Sequence, residues 1–81
     1  MRRLSRETEG SVVDVVAVEG SVDATVLRLF EMGLTRGCRV VVTRRAPLGD
    51  PLEIEVRGTR LCLRNDDARR FVVDAPLESR A

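Results

Sequence analysis

At 81 residues the chain has room for one small domain, which buries only about 60–65% of the surface of its unfolded form, and a deep, dry catalytic pocket is not expected. Hydrophobic residues make up 43%, yet Phe30 and Phe71 are the only aromatics, so the core must be aliphatic and the base-stacking platforms of nucleic-acid binders are missing. Fourteen basic residues, all arginine, against 13 acidic ones leave a net charge of +1, too little for a global field that draws in phosphate or an anionic membrane.

In chain order, Met1 to Gly10 are polar and aperiodic, and Ala75 to Ala81 are similar. Both ends (1–10 and 75–81) are expected to be flexible around a folded unit spanning 11–74. The β-branched run Val12 to Val18, interrupted by Asp14, reads as a strand largely buried on both faces and closed by Gly20. Ser21 can cap a helix with Asp23 in its first turn and Val22, Val26, Leu29, Phe30 and Gly33 on one face. Gly33 suits a left-handed helix terminus, with Leu34 making the accompanying apolar contact.

Gly37 turns the chain into a strand over Arg39 to Arg45. Leu52, Ile54 and Val56 alternate with charged residues, and Leu61 and Leu63 repeat that period beyond Gly58, so these segments, separated by Arg57-Gly58-Thr59-Arg60, form a hairpin. Asn65 to Arg70 can make one capped helical turn before a last strand over Phe71 to Val73. The fold class is mainly β with one short helix, and about five short strands in so small a chain close best as a small β-barrel.

The inventory for chemistry is thin. Without histidine, the usual general base and the commonest metal ligand are both missing. Cys38 and Cys62 lie far apart and fit no zinc spacing. Glu53 and Glu55 point to the same side of one strand and suit pairing with Arg60 or Arg64, while Asp66 and Asp67 complement a helix N-terminus. Gly33-Leu34-Thr35-Arg36-Gly37 lacks the lysine and hydroxyl of a phosphate loop. No apolar run reaches transmembrane length and the N-terminus does not resemble a secretion signal, so the cytosol is the expected compartment.

The loop Pro47-Leu48-Gly49-Asp50-Pro51 needs its Gly and Pro residues to turn, but it does not need a leucine at its tip. Leu48 either presents an apolar tip to a partner or folds back to plug the open end of the barrel.

Three strings taken in order, Leu29-x-x-Met32-Gly33-Leu34-x-x-Gly37-x-x-Val40, Ala46-Pro47-Leu48-Gly49-Asp50-Pro51 and Val56-x-Gly58-x-x-Leu61-x-Leu63-Arg64, resemble the ferrous iron transport protein A (FeoA) family over about residues 11 to 74. Arg36 stands where proline is frequent in such sequences, and Thr59 where a larger residue is common. The resemblance implies a cytosolic barrel like that of Src-homology-3 domains, without catalytic residues, that assists or regulates the membrane GTP-dependent ferrous iron transporter, ferrous iron transport protein B. It makes the corner Met32, Gly33 and Leu34 and the loop residues Pro47, Leu48, Gly49, Asp50 and Pro51 candidates for docking.

The expectation is therefore a non-enzymatic accessory protein of ferrous iron uptake, with no required cofactor, and located in the cytosol or peripherally at the membrane through its partner. Weak divalent-metal binding stays open, with unassigned ligands. A metal-sensing accessory domain, like the related barrel at the C-terminus of iron-dependent repressors, would use Glu53, Glu55, Asp66 and Asp67. A small RNA-binding barrel is a third alternative. An exposed barrel edge leaves a homodimer open.

Overall fold

The computed structural model describes residues 1–80. Five strands, β1 (Val12–Val18), β2 (Arg39–Arg45), β3 (Leu52–Val56), β4 (Thr59–Leu63) and β5 (Phe71–Asp74), form one antiparallel sheet in the order β4-β3-β2-β1-β5. Helix α1 (Ala24–Glu31) follows β1, and the single-turn α2 (Asn65–Ala68) follows β4. The register slips once in β1, between Val15 and Ala17, and once in β2, between Val42 and Arg44. Such bulges bend strands and increase twist, which lets five short strands curl around one core. That core is aliphatic, with Val13, Val40, Val42, Leu52, Ile54 and Val56 fully buried around Phe71.

The β3–β4 hairpin has a two-residue turn, with Arg57 at φ 51° and Gly58 at φ 79°. Both signs are those of a type I′ turn, whose twist matches that of the flanking strands. Glu55 stands opposite Arg60, and Glu53 is 3.9 Å from Arg60. β1 is less buried than expected: Val12 is exposed and Val16 to Val18 are half-buried. Asp14 is buried instead, because Arg39 Nε (2.9 Å), Arg80 (3.3 Å) and the Leu77 amide (2.8 Å) all reach its carboxylate.

Helix α1 is capped by Asp23 rather than Ser21; its Oδ1 accepts from the Val26 amide at 2.9 Å. Its start two residues later than expected leaves Val22 exposed while Val26 and Leu29 are buried. The far end follows the expected motif. Leu34 N–H bonds Leu29 C=O and Gly33 N–H bonds Phe30 C=O, with Gly33 at φ 101° and Leu34 fully buried.

The single turn α2 begins on Asn65, and the side chain of the preceding residue, Arg64, does not cap it. A carboxylate from another loop does the capping: Asp50 Oδ1 accepts the Asn65 amide at 3.0 Å.

The packed unit extends beyond 11–74. Leu4, in a 3-10 turn over Leu4–Arg6, is fully buried in the core, and Arg3 bridges Val72 while Val73 N–H donates to Arg2 C=O. Leu4 is the one apolar residue among Arg2 to Glu9, too little to generate a periodic signal. A second 3-10 turn, Leu77–Ser79, lies against β1 and β2, where Glu78 pairs with Arg39 at 2.6 Å.

Candidate docking surface

The loop after β2 is built to hold its tip outward. Gly49, at φ 89°, donates to Ala46 C=O at 2.7 Å, and Ala46 N–H closes the base on Pro51 C=O at 3.1 Å. Gly49 C=O accepts from Arg45 Nη1 (2.8 Å) and Asn65 Nδ2 (2.9 Å). With Asp50 fixed on the Asn65 amide, the loop is braced against α2 from two sides. Leu48 then stands 98% exposed between exposed Pro47 and Pro51, so it does not plug the barrel. A bare leucine on a stiff loop presents apolar surface with little ordering entropy left to lose on binding.

Arg45, at the end of β2, organises this region. Besides Gly49 C=O, its guanidinium reaches Asn65 Oδ1 (3.0 Å), Ser5 C=O (3.0 Å) and Glu7 C=O (2.7 Å), while its own amide donates to Glu9 Oε1 (2.9 Å). One planar fork thus joins the N-terminal segment, the loop and α2. Nothing local in the sequence signals partners so distant along the chain.

The second expected docking string divides. Met32 is 45% exposed at the end of α1, whereas Leu34 faces the core and offers no surface. Burial of Leu34 is what closes the helix terminus, so it is removed from the docking candidates. Met32 borders a groove of about 460 Å³ between α1 and β4, and Pro47 and Pro51 border a hollow of about 150 Å³ beside Glu53. Exposed Cys62 on β4 lines both, so the two strings flank one strand.

Two of the four carboxylates named for a metal, Glu53 and Asp66, lie beside partners. Glu53 accepts from Thr43 Oγ1 (3.1 Å) and faces Arg60, and Asp66 lies 4.0 Å from Arg69 on the α2 surface. Among the described residues no three His, Cys, Asp or Glu side chains gather as a metal-holding group. Arg70 is likewise committed within the fold: it pairs with Asp23 at 2.8 Å and donates to the Glu19 and Ser21 carbonyls. The main electrostatic cluster lies at the base of the sheet. There the Arg39 guanidinium holds the Asp14 and Glu78 carboxyls below their usual values, while burial pushes the Cys38 thiol up.

Compared with known families, residues 2–75 match the FeoA domain. The chain belongs to the FeoA family. Among solved FeoA structures, the protein from Chlorobium tepidum is 32% identical with a TM-score of 0.86, over 99% of this chain and 75% of that one. FeoA of Stenotrophomonas maltophilia, solved with zinc, is 35% identical with a TM-score of 0.75 over 91% of each chain. It is described as a prokaryotic SH3 domain protein and as a candidate activating factor for bacterial ferrous iron transport. The manganese regulator SloR, 17% identical with a TM-score of 0.73, shares the fold over 34% of its own chain. This FeoA domain therefore has the small-barrel architecture expected from its strand pattern and the SH3-like form that the family resemblance implied, and its family match includes the N-terminal segment that packs on the core.

Proposed function

We propose that this FeoA domain is a non-enzymatic accessory regulator of ferrous iron uptake that docks through the Leu48 loop on the membrane GTP-dependent ferrous iron transporter, ferrous iron transport protein B. The observation that carries the reading is Leu48, 98% exposed on a loop held by Arg45, Asn65 and Asp50. Family membership supplies the transport context. No described helix is long and apolar enough to cross a membrane, so the chain would reach the transporter as a peripheral partner at its cytosolic side. Regulation requires that it bind one conformational state of the transporter more tightly than another, since only differential affinity shifts an equilibrium.

The test is co-elution of the purified chain with the detergent-solubilised transporter, with and without a guanine nucleotide, alongside Leu48→Asp. Binding that the variant loses while its melting temperature holds supports the reading. Equal binding by both proteins would place the contact elsewhere, and absence of binding in every nucleotide state would remove the transporter as partner.

A further inference from the structure

The sheet has two edges, and the chain treats them differently. The outer side of β5 is covered by Arg2 and Arg3, through the Val73 to Arg2 hydrogen bond and the Arg3–Val72 bridge. The outer side of β4 has no such cover among the described residues. In a hairpin with a two-residue turn, Val56 and Thr59 form a hydrogen-bonded pair, and the alternation then assigns Leu61 and Leu63 to bonding with β3. Arg60 and Cys62 consequently point both their N–H and C=O groups away from the sheet, and no partner meets them among the described residues.

Those groups face the 460 Å³ groove against α1. Its apolar floor consists of Leu29, Met32, Leu61 and Leu63. Its basic rim consists of Arg28, Arg60 and Arg64; Arg28 and Arg64 make no ion pair among the described residues, and Arg60 makes only the 3.9 Å contact with Glu53. Asp67 closes the α2 end and disfavours a further acid there.

We infer that the β4 edge binds an extended peptide segment of a partner protein as a sixth strand, and that this segment alternates apolar and acidic residues. Backbone pairing to Arg60 and Cys62 supplies the register, and a strand's period of two divides the side chains. Alternate residues face the Leu61 and Leu63 side, where apolar groups fit, and the others face Arg60 and Arg64, where carboxylates fit. A second copy of this chain is the wrong occupant: antiparallel pairing of two β4 edges about Cys62 would set Arg60 of each copy against Arg64 of the other. The inference does not depend on the Leu48 loop.

The experiment titrates isotopically labelled chain with an acetylated, amidated heptapeptide alternating valine and glutamate, read by NMR. Shift changes and slowed hydrogen exchange at the Arg60 and Cys62 amides are expected. Replacing glutamate by lysine in the peptide, or making Arg60→Glu with Arg64→Glu in the protein, should weaken binding about tenfold. Both arginines are exposed, and the lysine peptide tests charge on the unaltered protein. A peptide N-methylated at every residue should lose binding, because neither of its edges keeps an N–H to donate to the Arg60 and Cys62 carbonyls. Arg60 and Cys62 amides that stay unchanged up to about 1 mM peptide, or equal binding by the N-methylated form, would overturn the inference. Leu48→Asp should bind the glutamate peptide like the unaltered protein, so loss of transporter docking and loss of this site are separable.

Discussion

Leu48 and Arg45 lie close in the chain and have opposite tasks. Leu48 touches little, so Leu48→Asp should alter stability by no more than about 0.5 kcal/mol, a melting shift within about 4 °C for a domain of this size. Calorimetry checks this, and a larger drop would mean that the leucine is part of the core. Arg45→Met, in contrast, strips a donor from Ser5, Glu7 and Gly49 carbonyls at once and should cost about 2–4 kcal/mol in urea unfolding. Arg45→Lys should recover only part of that loss, since a single ammonium cannot reproduce the fork. The place of Leu48 in a turn was legible from Pro47 and Gly49, while its exposure was settled only by the fold. The role of Arg45 was not legible, because its partners are up to forty positions away and chosen by the fold.

The elements show which signals are local. The end of α1 is encoded in Gly33 and Leu34, as the sequence suggested, and Gly33→Ala should cost about 1–2 kcal/mol. A Cβ there would meet Val56 Cγ1 at an ordinary 3.7 Å, so the loss comes from φ 101° rather than from crowding, and chemical denaturation measures it. The start of α1 was misplaced because Ser21 and Asp23 are both good caps; pairing with Arg70 favours Asp23. For β2 and β4, alternation placed Cys38 and Cys62 on strands or beside them without deciding which is covered. The structure buries Cys38 and exposes Cys62. A disulfide reagent such as Ellman's should therefore titrate one thiol quickly in the native protein, Cys62, and the second only after unfolding; rapid reaction of both would contradict the fold.

For the whole molecule, the radius of gyration of 11.6 Å matches the ~12 Å expected for a compact chain of this length, which leaves no room for extended tails over the described residues. The terminal segments are drawn in by Leu4 at one end and by the Asp14, Arg39, Glu78 and Arg80 cluster at the other. Asp14 is held low first by its hydrogen bond to Arg39, Asp23 by the Val26 amide and then Arg70, and Glu78 by Arg39. A carboxyl depressed in the folded state adds stability above its unfolded value and loses it as pH falls through its folded value. The urea midpoint should therefore be nearly flat around neutrality and fall below about pH 4. Asp14→Asn should lower the plateau and flatten that acid limb; an unchanged slope would show that other carboxyls carry it.

The sequence by itself determined the strand and turn pattern, the small-barrel class and the end of α1, because each rests on residue periodicity or on backbone angles that neighbours impose. Only the tertiary structure decided that Leu4 is core, that Leu48 stands exposed, that Leu34 is unavailable for docking, that Asp50 caps α2, and that β5 is covered while β4 is left open among the described residues. Those outcomes depend on contacts between segments far apart in the chain. No single residue or its neighbours carries that information until the sheet has curled and brought them together.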